Sequence, residues 1–346
     1  MKSSKIKKVL GLALIAGLLI YFILTYNFKE VFRAIAGVKL IFIIPLIFIE
    51  TIIAFIRTLR LKYLIDPIKK IEIAALFPVY CIGMMTNLIM PFLTGQGARV
   101  YLLSKKTQLK KTFFATTTLL ELLFDAMALI GLVLLISLFK VMPGDFSPWH
   151  LPAVVGIIIL SYIILVTISK SNITGGGKFS KISARFHPAV AKKMDEAHHS
   201  IVSALETLKS TKHFILVTAL SALSWLTQAL MVYFLILAFG FSISIWNAVF
   251  ITILINVMMT IVIAPVNIGT FQAATVAALH PFNIGKSEAL AFSFLLHIAV
   301  YVPPVILGAL FSVKEGLTYK QLEDESDEGM KALESNVITG RSNNTE

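Results

Sequence analysis

Six apolar runs, near residues 9–26, 40–56, 113–139, 152–169, 213–239 and 289–313, limit what this chain can become. About 20 apolar residues in helical form cross a bilayer. In hydrocarbon a spanning helix must satisfy its own backbone polar groups. The chain is therefore read as an all-α polytopic membrane protein with six spans. Its 57% hydrophobic and 14% charged residues agree with that class. The net charge of +12 is then no sign of nucleic acid, because Lys and Arg gather on the cytoplasmic side of membrane proteins. Cys81, the single cysteine, lies in an apolar run and is read as a small buried hydrophobe.

Between the spans one pattern occurs twice. Met84-Met85-Thr86 is followed by Pro91 and Gly95, and Met258-Met259-Thr260 by Pro265 and Gly269, at identical spacing. Pro interrupts helical hydrogen bonding, and Gly permits turns closed to other residues. Two apolar helices are thus expected to break and restart. Irregular backbone at membrane depth is tolerated only beside protein or a water-filled cavity, and paired broken helices in two halves of a chain mark transport sites.

Charge placement decides how these elements sit. If 74–104 and 247–283 each dip in and return, 26 Lys and Arg lie inside and five outside. If both cross fully, 14 lie inside and 17 outside. The excess of cytoplasmic Lys and Arg favours re-entrant hairpins. The expected arrangement is six spans plus two re-entrant broken helices in an inverted repeat, with units at about 40–139 and 213–313 and both termini cytoplasmic. Residues 1–316 form the membrane domain, with a cytoplasmic amphipathic loop over 170–212. The acidic stretch 317–346 is expected to be a disordered tail.

Charges inside the spans point to a path. Glu121 and Asp125, at i and i+4, share a helix face, and two buried acids need a cation or proton between them. Arg99 is the candidate cation. Glu50 and Arg57, two turns apart, are a second candidate intramembrane ion pair. Locking of helices and a place on a substrate path both remain open for these groups. His187, His198, His199 and His213 lack the spacing of a metal site, so no metal is expected. No phosphate-cradling loop is present, and neither cofactor nor ATP use is expected.

Three stretches carry a resemblance: Pro91-Phe92-Leu93-Thr94-Gly95-Gln96-Gly97-Ala98-Arg99-Val100-Tyr101-Leu102-Leu103, Leu120-Glu121-Leu122-Leu123-Phe124-Asp125, and Ala264-Pro265-Val266-Asn267-Ile268-Gly269-Thr270-Phe271-Gln272-Ala273-Ala274. Together they resemble the lysylphosphatidylglycerol synthase transmembrane region, the flippase-like family, over roughly residues 5–315. The resemblance implies a prokaryotic cell-membrane protein that moves lipid between leaflets. It does not extend to the soluble aminoacyl-transfer domain of the full-length synthase. Where the family shows Gly-Glu this chain has Gly95-Gln96, and its second glycine-rich motif ends in Gln272 in place of Glu. Leu122 replaces the Arg after Glu121. These departures weigh against a cationic lipid.

The expectation is a non-enzymatic lipid translocase with a polar groove at the two broken helices. Its path would be formed by Pro91, Gly95, Gln96, Arg99, Glu121, Asp125, Pro265, Asn267, Gly269 and Gln272. Backbone freed at the prolines, with Gln96, Asn267 and Gln272, would replace headgroup water. Arg99 would meet the phosphate, and Glu121 with Asp125 an amine, proton or cation. The partners expected are membrane lipids, an anionic phospholipid foremost, and not nucleic acid; oligomeric state is left open. Alternatives are a proton- or sodium-coupled carrier of a soluble solute, a membrane-embedded transferase, and a non-transporting partner protein.

Overall fold

A computed structural model of the chain describes residues 24–89, 94–138, 211–261 and 268–330, apart from 319, 323 and 325. The described residues are helical, with no strand among them. Four helices are long and apolar enough to cross a membrane: Leu40–Ile65, Lys111–Ser137, Lys212–Phe239 and Lys286–Lys314. Most of the expected span at 9–26, the span at 152–169, most of the loop 170–212, and Pro91, Pro265 and Asn267 lie outside the described residues.

Helix α1 (Phe28–Ala36) lies between the expected spans at 9–26 and 40–56. Asn27 caps it by accepting from the Lys29 N–H at 3.1 Å, and Val31 packs on Leu290 and Ala291. Pro45 lies in the first turn of α2 (Ile44–Ile65), where its missing N–H costs nothing. The helix thus runs past residue 56, the expected end of the span, and carries both Arg57 and Arg60 within its length.

Next come α3 (Ile73–Ile89) and α4 (Thr94–Thr107). Each is shorter than about 20 residues, the length that crosses a bilayer. Their register is antiparallel, because Gly95 abuts Asn87 and Gly83 while Gly83 also abuts Arg99. The two backbones touch at this crossing. A Cβ on Gly95 would stand 2.2 Å from the Gly83 carbonyl oxygen. Gly95 therefore lies in the first turn of α4, where a helix was expected to restart, and there it also allows close helix approach.

The chain continues through α5 (Lys111–Leu138), α6 (Thr211–Phe239), the short pair α7 (Ile245–Ile261) and α8 (Thr270–Leu279), and α9 (Lys286–Lys314). At the second break Gly269, with φ of 84°, does hold a turn and precedes α8 directly. The packing has a regular form. α2 lies on α6; α3 packs on α4 and α7 on α8; α2 meets α3 and α6 meets α7; α9 packs on α3 and α5 on α7. Close approach of α9 to α3 is set by Gly308, against which Met85 and the Cys81 carbonyl press. Cys81 itself is buried, as its apolar surroundings suggested.

The tail requires a correction. Residues 326–330 are helical, and Leu322 and Ser326 are buried. Gly329 crosses Gly97 of α4 so closely that a Cβ on either would strike the other segment's backbone. Lys111 bonds Glu328 at 2.5 Å and Lys106 bonds Glu315 at 2.6 Å. Small residues on one face and acids facing a basic turn dock this stretch, which acidic composition alone had marked as disordered. Residues 331–346 lie outside the described part.

Candidate functional site

A cavity of about 630 Å³ lies among α2, α3, α4, α5, α6, α7 and α9, within the 300–1,000 Å³ typical of ligand sites. From α2 it receives Glu50, Arg57 and Arg60; from the α3–α4 hairpin Tyr80, Asn87, Gln96 and Arg99; and from α5 Glu121 and Asp125. On the far side Trp225 and Gln228 of α6, Asn256 of α7, and Val300 and Pro304 of α9 face it.

Helical periodicity explains why these residues converge. Glu50 and Arg57 are two turns apart on α2 and Arg60 one turn further; Leu122, Asp125, Ala126 and Leu129 recur on one face of α5. Leu122 lines the cavity and is 57% exposed, so the α5 side of the cavity is open. Pro304 has no N–H for the Val300 carbonyl, and both residues reach the cavity.

Four charges close on one another. Arg99 pairs with Glu121 and donates to Thr118 Oγ1 at 3.3 Å. Arg60 Nη1 donates to Asp125 Oδ1 at 2.5 Å and Nη2 to Oδ2 at 3.1 Å, while Glu121 Oε1 lies 3.6 Å from Arg60. The two acids on one face of α5 are thus held together by two guanidiniums. Asp125 also accepts from Trp225 Nε1 at 3.2 Å, and Arg60 donates to Ser221 Oγ at 2.9 Å. Arg60 and Glu121 are each only 3% exposed. The chain of bonds ties α2, α4, α5 and α6 into one wall.

Arg57 and Glu50 stand apart from this wall. Seven residues separate them, roughly 10 Å along a helix axis, and no ion pair or hydrogen bond joins them among the described residues. The two charges face one cavity and influence each other across it, without the direct contact of an ion pair. Arg57 stacks 5.7 Å from the Trp225 ring, and its Nε is buried without an acceptor. Glu50 is 3% exposed. Gln96 Oε1 and Gln228 Oε1 are likewise buried without donors.

The second broken helix contributes differently. Gln272 Oε1 accepts from the Gly269 N–H at 2.7 Å, capping its own helix, and its Nε2 lies 3.0 Å from His297 Nδ1. Gly269 and Gln272 do not line the large cavity. A smaller cavity of about 150 Å³, lined by Met259 and Phe271 among others, shares Gln228, Asn256, Val300 and Tyr301 with the first. Of the expected path residues, the large cavity therefore brings together Gly95, Gln96, Arg99, Glu121 and Asp125.

Sequence reasoning missed Arg60, Trp225, Gln228 and Asn256. Arg60 lies just past the expected span 40–56, among the Lys and Arg that flank it, although one cation for two adjacent acids leaves a charge unmatched. Ser221, Trp225 and Gln228 form a polar row at helical spacing in an apolar span, a readable signal.

Fold and site define a polytopic integral membrane protein with a charged cavity inside its helical domain. The chain belongs to the lysylphosphatidylglycerol synthase transmembrane-region family, whose model matches residues 8–308. It is similar to the UPF0104 membrane protein MJ1078 of Methanocaldococcus jannaschii, 26% identical over 70% of this chain and 99% of that protein. It is also similar to MJ1595 of the same organism, 23% identical over 93% of this chain and 99% of that protein. A UPF0104 membrane protein of Methanothermobacter thermautotrophicus is 24% identical over 69% of this chain and 75% of that protein. No solved structure matches the chain.

Proposed function

We propose that this protein is a lipid translocase that shelters a polar headgroup in the large cavity while the tails stay in the bilayer. The observation that carries the reading is a cavity lined by three arginines and three carboxylates inside an apolar helical domain. Intramembrane ionisable groups are costly and mark substrate paths. A headgroup faces the same desolvation cost outside such a cavity. The partly exposed α5 face supports access from the lipid side.

The reading places the α3–α4 and α7–α8 pairs as re-entrant hairpins of an inverted repeat, with two further spans at 9–26 and 152–169. Exchanging α2 with α6, α3 with α7, α4 with α8 and α5 with α9 leaves the packing scheme unchanged, which supports two equivalent units rocking against each other. It also places the protein in a prokaryotic cell membrane with both termini cytoplasmic, on the basic segments counted above. The protein is a carrier in this reading and not an enzyme.

The test is reconstitution into vesicles with a tail-labelled phospholipid and no ion gradient. Transfer of label between leaflets, reduced at least about tenfold by Arg57→Gln, is expected. No transfer without a gradient, together with uptake of a soluble solute under a proton or sodium gradient, would replace the lipid reading by the solute carrier.

A further inference from the structure

We infer that the cavity takes a zwitterionic headgroup, a phosphodiester bearing a primary amine, with the phosphate at Arg57 and the ammonium at Glu50. This rests on the cavity being the headgroup passage proposed above, and adds which chemistry fits it.

Charge accounting carries the argument. Arg60, Arg99, Glu121 and Asp125 neutralise one another through direct contacts, so their charges are already matched, although Arg60 Nε, Arg99 Nε and Glu121 Oε1 still lack hydrogen-bond partners. One cation and one anion remain, Arg57 and Glu50, and neither has an ion-pair partner within 4.0 Å among the described residues. With Glu50 as the carboxylate, a net anionic headgroup would leave one uncompensated charge in a region of low dielectric, where unmatched charge is expensive. A headgroup with one charge of each sign leaves the cavity neutral.

The unpaired hydrogen-bonding atoms agree. An ammonium only donates, and the cavity offers it acceptors in Glu50, Gln96 Oε1 and Gln228 Oε1. A phosphodiester only accepts, and Arg57 Nε is a buried donor awaiting an acceptor. Trp225 holds the Arg57 guanidinium from behind, and cation–π stacking of this kind leaves the in-plane N–H groups free to donate. Gln96 brings a neutral side-chain amide to the cavity. A neutral amide there keeps the count at one free carboxylate, which suits one ammonium and not two.

The experiment uses the full chain in detergent with Trp149→Phe and Trp246→Phe, so that Trp225 alone reports on the cavity. It is titrated with dihexanoylphosphatidylethanolamine, dihexanoylphosphatidylglycerol and tail-free glycerophosphoethanolamine. The ethanolamine lipid should bind at least about tenfold more tightly than the glycerol lipid. Glu50→Gln should bring the two within about twofold, and Arg57→Gln should weaken both. Both substitutions remove groups without ion-pair partners, so folding is retained, checked by the thermal unfolding midpoint. Equal binding of the two lipids, a preference unchanged by Glu50→Gln, or no binding of either overturns the proposal. Glycerophosphoethanolamine binding as tightly as its lipid, or the expected preference without leaflet transfer, keeps the charge assignment and overturns the lipid-carrier reading instead.

Discussion

Replacing Arg60 by Met removes the group that holds the wall of the cavity together. The guanidinium makes two bonds to Asp125 and one to Ser221, and lies 3.6 Å from Glu121. Without it Asp125 keeps only the Trp225 indole, and Glu121 keeps Arg99. Breaking a buried pair by removing one partner costs about 3–5 kcal/mol. The Asp125 side chain is 21% exposed, so water recovers part of that and the expected cost is near 3 kcal/mol, the low end of that range. Asp125→Leu alone strands Arg60 beside Glu121 and should cost a similar amount. The double variant Arg60→Met/Asp125→Leu leaves the Arg99–Glu121 pair neutral and intact. It should therefore be less destabilised than the sum of the two by about 2 kcal/mol. Equilibrium unfolding of the four proteins in mixed detergent micelles measures the cycle. Additive losses, or an Arg60→Met variant within about 0.5 kcal/mol of the parent, would refute the claim that these charges act as one unit.

Other parts of the structure make separate predictions. Gly95→Val drives a side chain into the Gly83 carbonyl and Asn87, and should lower unfolding stability by about 3 kcal/mol or abolish folded yield. Gln272→Leu removes the cap on Gly269 and leaves His297 Nδ1 without its partner; a loss of about 1–3 kcal/mol in the same assay is expected. Gly329→Val should undock the tail from Gly97, seen as faster proteolysis within 320–330 with the membrane domain's unfolding midpoint unchanged. Lys111→Ala, which breaks only a surface pair with Glu328, should alter stability by less than about 1 kcal/mol.

The sequence made the class and the four long helices legible because twenty-residue apolar stretches admit few other structures. The restart of a helix near Gly95 was legible too, through the Pro and Gly spacing. What stayed hidden depends on three-dimensional partners. Glu121 and Asp125 announced a site by their spacing, but their second cation, Arg60, comes from a helix some sixty residues earlier and looked like a flank. Gly95 and Gly269 occupy matching places in the repeat yet do different work. One allows two backbones to touch; the other turns the chain with a positive φ. The docked tail was missed because Gly97 against Gly329 is a match between surfaces, invisible to composition.

The most direct test of the account is to find where a headgroup goes. The protein is reconstituted with a phosphatidylethanolamine analogue carrying a photoreactive diazirine on its headgroup, irradiated, and the adducts are mapped by mass spectrometry. Adducts on peptides around Arg57, Gln96 and Trp225, competed by unlabelled phosphatidylethanolamine, are the predicted result. Adducts confined to outward residues such as Phe48 and Ile52, with the cavity peptides unmodified, would contradict it.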